Sequence, residues 1–195
     1  MEFGLILLKL LMKINSAGHR FWLLGSAALA TLALGGCITS TAPVLSDAKP
    51  VLGERGLIHV FTLSQGGASD PSVVSFQWSG SRYLIRGKAI GYSDFTAYPY
   101  EGRDWIVQGT TQRAPQRIEY GIARKLAAGV YLLIPINEDD ADQATREKFC
   151  TKTQDASCRI ATPEQLFVFA RATADQASES GGLAVVVPPR SGPNR

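Results

Sequence analysis

Two histidines occur in this 195-residue chain, and only His59 lies beyond the apolar N-terminal stretch. It sits in the alternating run LIHVFTL (Leu57 to Leu63), where a lone histidine reads as a half-buried strand residue rather than a catalyst. One histidine leaves little for Ser-His-Asp chemistry or for a multi-histidine zinc site. The string Ser46 to Lys49 has the Ser-x-x-Lys spacing that puts a lysine beside a nucleophilic serine on a helix. Pro50 follows it directly in a stretch without helical pattern, so it reads as a chance match. Gly91-Tyr92-Ser93-Asp94-Phe95 lacks the second glycine of a nucleophile elbow. Glu138, Asp139, Asp140 and Asp142 offer hard oxygens for calcium but lack the glycine and alternation of a calcium loop. Their position suits a helix start, where negative charge offsets the dipole. The remaining chemistry is carboxylate chemistry. Asp94, Glu101, Asp104 and Glu119 fall near Tyr92, Tyr98, Tyr100 and Trp105, and two opposed carboxylates can hydrolyse a glycosidic bond. Tyr98, Tyr100 and Trp105 make the candidate ligand face; the alternative is that these aromatics are cross-strand core pairs with acids at turns. Nothing in the sequence calls for a metal or a cofactor.

The uncharged run Phe21 to Leu34 (FWLLGSAALATLAL) follows a basic flank containing His19 and Arg20. It is shorter than the roughly 20 apolar residues a membrane-spanning helix needs and has the flanks of an export signal. Behind it stands Leu34-Gly35-Gly36-Cys37, which resembles the lipobox of bacterial lipoproteins. That resemblance implies a signal peptide over residues 1–36, cleavage before Cys37, and acylation of its thiol. It implies a lipid bilayer as a partner and a place in the cell envelope facing the periplasm. Ile38, where a retention signal would have aspartate, implies the outer membrane. Residues 1–11 are themselves apolar, whereas Met12-Lys13 opens an ordinary basic leader, so Met12 is the expected true start.

Acylation of Cys37 leaves Cys150 and Cys158 of the three cysteines, and in an oxidising compartment these two are expected to pair. Their spacing is neither C-x-x-C nor a zinc pattern. The precursor has 20 Lys+Arg against 17 Asp+Glu, and three of the former and one of the latter precede Cys37. The mature chain is therefore close to neutral, with charges interspersed, and no basic patch suggests nucleic acid.

The elements that must position these residues are mostly strands. Residues 37–54 are rich in Ser, Thr, Pro and Ala without periodicity and read as a flexible tether. One domain over 55–177 follows. It opens with the strand LIHVFTL and continues as three hairpins around Gly80, Gly102 and Gly129. In the third, Ile118, Tyr120 and Ile122 alternate with Glu119, Gly121 and Ala123, predicting one buried face. Val130 to Ile134 is apolar throughout and suits a strand covered on both sides. A helix capped by Asn137 is predicted to run to about Phe149. A second starts at Thr162-Pro163-Glu164-Gln165, a capping box with proline at the first helical position, and buries Leu166, Phe169, Ala170 and Thr173. Residues 178–195 read as a tail with a possible last strand at 183–187.

The predicted class is α+β: an antiparallel meander of six to eight strands, curled or partly closed, with two C-terminal helices. The expected function is that of a membrane-anchored envelope lipoprotein without enzymatic activity, serving as a structural, assembly or binding module. Another envelope protein or peptidoglycan is its expected partner. The alternatives are a cell-wall glycan hydrolase and a carrier of a small apolar ligand.

Overall fold

The structure, a computed structural model, describes residues 38–64, 67–87, 91–115, 117–152, 157–176 and 181–189. The expected export signal over residues 1–36 and the expected acylation site Cys37 lie outside them. Among the described residues no helix is long and apolar enough to cross a membrane.

The meander is an up-and-down barrel, and it closes. β2 (Arg55–Ser64), β4 (Ser72–Trp78), β5 (Tyr83–Arg86), β6 (Tyr92–Pro99), β7 (Asp104–Thr111), β8 (Ile118–Ala127) and β9 (Val130–Pro135) pair in succession, each antiparallel to the next. A small β3 (Gly67–Ala68) pairs with the end of β2. Left as an open sheet, β2 and β9 would each present an edge of unpaired amides. The last strand, β12 (Gly181–Val187), removes both edges. It pairs with β2 from Gly181↔Leu63 to Val187↔Leu57, and with β9 from Gly182↔Leu133 to Val185↔Val130. The predicted tail strand is thus the eighth stave of the barrel. Three short strands extend the wall beside β8: β1 (Ile38–Ser40), β10 (Thr151–Lys152) and β11 (Cys158–Arg159).

Two cores follow from the alternation of side chains along the staves. The inner core fills much of the barrel and is centred on Tyr83, whose ring stacks on Phe95 at 4.8 Å and meets Phe76 and Trp78 edge-on. The outer core lies between β8, β9 and the helices, with Tyr120, Ile122 and Ile134 against Leu166 and Phe169. β8 serves both, so its single predicted buried face becomes two. Ile118, Tyr120 and Ile122 face the helices, while Glu119 and Ala123 face the barrel interior and are buried as well.

Residues 38–54 are not a free tether. Ile38 is fully buried, and β1 pairs with β11 and with the start of β8. The following stretch lies along the outside of the barrel, where Val44 and Leu45 donate backbone N–H groups to Gln108 Oε1 and Leu45 O accepts from Tyr98 Oη. Composition pointed the other way because this segment has no periodicity of its own; its backbone is satisfied by side chains of distant strands.

The helical region departs from expectation at its first element. Asn137 makes no side-chain cap, and Glu138–Asp140 form a 3-10 turn. Helix α1 (Gln143–Phe149) begins only after Asp142, whose Oδ1 accepts from Thr145 N at 2.7 Å. The extended backbone of Ala141 separates the two, and Asp140 is held by Thr173 Oγ1 at 2.8 Å, a tertiary contact that sequence spacing does not reveal. Helix α2 (Pro163–Gln176) starts as its capping box predicts: Gln165 N donates to Thr162 Oγ1, and Thr162 N donates to Gln165 Oε1. Its buried residues are Leu166, Phe169, Ala170 and Thr173.

The sulfur atoms of Cys150 and Cys158 lie at bonding distance with their Cα atoms 5.1 Å apart, joining the end of α1 to β11. A crosslink over so short a loop constrains the unfolded chain by about 2–3 kcal/mol. Reduction is therefore expected to lower the unfolding free energy by about that amount, read as a fall in the thermal midpoint with thiol present. An unchanged midpoint would show that the bridge adds nothing.

Candidate functional site

Eight strands enclose an interior just wide enough to be filled by side chains or to hold one small ligand. Here the filling is incomplete. Ala97 on β6, Ala123 on β8 and Ala184 on β12 all point inward, and their small side chains leave a cavity of about 100 Å³. Around it stand Ile58 and Val60 of β2, Ile85 of β5, Phe95 of β6, Val107 of β7 and Leu133 of β9. Tyr92, Trp105 and Tyr131 supply the only side chains in the lining that carry a polar atom.

The two ends differ in character. At one, the turn carrying Val51 and Leu52 covers the cavity and is tied down where Leu52 N donates to Tyr83 Oη at 2.8 Å. Burial pushes the Tyr83 phenol above its usual range. At the other, Tyr92 Oη donates to Glu119 Oε2 at 2.5 Å, and Glu119 Oε1 is paired with Arg117 Nε at 3.0 Å. The Tyr92 ring lies over Gly109, where a Cβ would come within 2.9 Å of its Cδ1. The buried carboxylate is thus compensated by an ion pair and a hydrogen bond, as burial of a charge requires.

The predicted ligand face is not assembled. Tyr98 pairs with Ile106 and points outward beneath the 38–54 segment, and Tyr100 stacks on Phe167 of α2 at 5.8 Å. Trp105, opposite Pro99, has the other parity and lines the cavity. Alternation along the strands separates residues that are neighbours in sequence.

The four acids of the hairpin region are separated too. Asp94 accepts from Thr110 Oγ1, Glu101 pairs with Arg171, and Asp104 holds Arg124 through both oxygens. Glu119 alone faces the interior. Each is engaged with a different partner, and no pair opposes across a cleft as glycoside hydrolysis requires. Ser46, in the Ser-x-x-Lys string, is exposed and donates to Asp47.

The acidic cluster also disperses: Glu138 pairs with Lys152, Asp139 with Arg146, Asp140 with Thr173, and Asp142 caps α1. Among the described residues Glu138, Cys150 and Cys158 bring ligand atoms within 4.8 Å of one another. Those sulfurs are bonded to each other and Glu138 is paired with Lys152, so the atoms of this group are already engaged.

Sequence reasoning names a small apolar ligand only as an alternative and does not find the residues that line the cavity. Its one trace is the alanine at inward positions of three strands that neighbour only in the closed barrel. Comparison of the chain with known protein families, with curated proteins and with solved structures finds no match.

Proposed function

We propose that this chain is a lipid-anchored, non-enzymatic binding module of the bacterial cell envelope, acylated at Cys37, whose barrel holds a small apolar ligand. The observation that carries the ligand is the apolar cavity of about 100 Å³ inside the closed barrel. Apolar voids of roughly 150 Å³ stay dry and take up benzene, so the fitting ligand is a small ring or the end of an alkyl chain. The anchor is supported by Leu34-Gly35-Gly36-Cys37 behind an apolar core, and Ile38 in place of aspartate favours the outer membrane. Glycan hydrolysis is the weaker reading, since the acids do not converge.

Two measurements test this. Labelled palmitate should enter the wild-type protein and not the Cys37→Ser variant; equal labelling would end the lipoprotein reading. Benzene in the buffer should raise the thermal midpoint of the wild type, because a ligand that binds only the folded state stabilises it. Ala97→Val and Ala123→Val, which each take up part of the void, should each diminish that rise. A midpoint indifferent to benzene would remove the ligand.

A further inference from the structure

We propose that the barrel wall built from β12, β2, β4 and β5 docks on an anionic bilayer surface, with a lipid phosphate held between Arg55 and Arg86. An antiparallel wall that faces water alternates apolar inside with polar outside. This one carries large apolar side chains on its outer face as well, interspersed with a few polar and basic ones. Leu57, Val73, Leu84 and Val187 point outward and are 42%, 47%, 39% and 37% exposed, and Val185 stands among them beside His59. The opposite side of the barrel is different. There the outward positions of β6 and β7 include Asp94, Thr96, Asp104 and Gln108, which interrupt the continuous apolar belt that a membrane-spanning barrel needs. Among the described residues, four of the six exposed large hydrophobic side chains are on this wall.

Charge selects the occupant. β12, β2, β4 and β5 contain no Asp or Glu, while Arg55 and Arg86 lie on the outward face. Strand register sets Leu57 opposite Ser75, Ser75 opposite Arg86, and Arg55 opposite Gln77. The two arginines thereby flank a groove of about 270 Å³, with Leu57 and Ser75 between them. A second copy laid face to face would bring arginines against another acid-free wall, which repels. Phosphate headgroups meet them with opposite charge while the leucine and valine side chains enter the acyl boundary, the combination by which peripheral proteins bind membranes. This surface is separate from the cavity and does not depend on acylation of Cys37.

The test uses the full chain with Cys37→Ser, incubated with phosphatidylcholine vesicles with or without phosphatidylglycerol and sedimented. The apolar N-terminal segment is common to every variant, so the measured quantity is the preference for anionic over neutral vesicles. Each arginine near a charged surface contributes about a fivefold change in binding. Arg55→Ala with Arg86→Ala should therefore reduce the preference about 25-fold, and the Arg→Lys pair, which keeps the charge, should retain most of it. Val73→Asp should weaken binding to both vesicles at an unchanged thermal midpoint. A preference unaltered in the double alanine variant would overturn the proposal. So would self-association in the absence of lipid that Val73→Asp abolishes.

Discussion

Replacing Phe169 with alanine is expected to lower the unfolding free energy by about 3–5 kcal/mol. Phe169 is fully buried, as are Leu166 and Ala170 beside it on the same face of α2. They pack in one cluster with Tyr120, Ile122 and Ile134, which come from the outer faces of β8 and β9. Removing the ring costs the transfer free energy of its carbons and leaves a void that helix and barrel cannot both move to fill. The consequence reaches past the helix. α2 lies between β9 and β12 in sequence, so its packing helps deliver the strand that closes the barrel. Denaturant unfolding followed by far-ultraviolet dichroism and by tryptophan fluorescence should show one transition, shifted equally in both signals. A loss below about 1 kcal/mol, the level of an ordinary surface change, would mean that the helix is not held by this contact.

Alkaline pH is expected to remove about 2–3 kcal/mol of stability between pH 10 and pH 12 through Tyr120. This phenol is fully buried between β8 and the helices, and desolvation pushes its pKa up to about 12, opposed by its 2.6 Å hydrogen bond with Ser40. The folded chain therefore holds the phenolic proton more tightly than the unfolded chain does. Below pH 10 both states are protonated and the stabilising effect is complete; as pH rises toward 12 the unfolded chain ionises first and stability drains away. Burial raises Tyr83, Tyr100 and Tyr131 in the same direction, so the total decline should exceed that of Tyr120 alone. Chemical unfolding at intervals between pH 9 and pH 12 measures it. Tyr120→Phe should flatten the curve by its share, and a variant as steep as the wild type would place the effect elsewhere.

The residues that were legible and those that were not divide on physical grounds. The capping box at Thr162 and the buried face of α2 are local: both are fixed by contacts three or four residues apart. The hairpins were readable for the same reason, since a short turn at Gly129, where φ is +71°, imposes its own register. Cys150 and Cys158 were singled out by arithmetic on thiols and lie within bonding distance. The segment 38–54 was misread because its partners, Gln108, Tyr98 and Tyr83, are each at least 31 residues distant. The Tyr98, Tyr100 and Trp105 face failed because a one-residue change of parity sends a side chain through the sheet.

What the sequence by itself determined, then, is the strand and hairpin order, the second helix with its packing face, and the cysteine pair. It also supplies the lipobox-like address on which the proposed anchor rests. Only the tertiary structure decided that β12 closes the sheet between β2 and β9. With that closure came the inner cavity between Ala97, Ala123 and Ala184, the scattering of the acids, and the acid-free outer wall. Local elements are specified by short-range sterics and hydrogen bonds that any stretch carries with it. An interior and an exterior exist only once a sheet has met its own first strand.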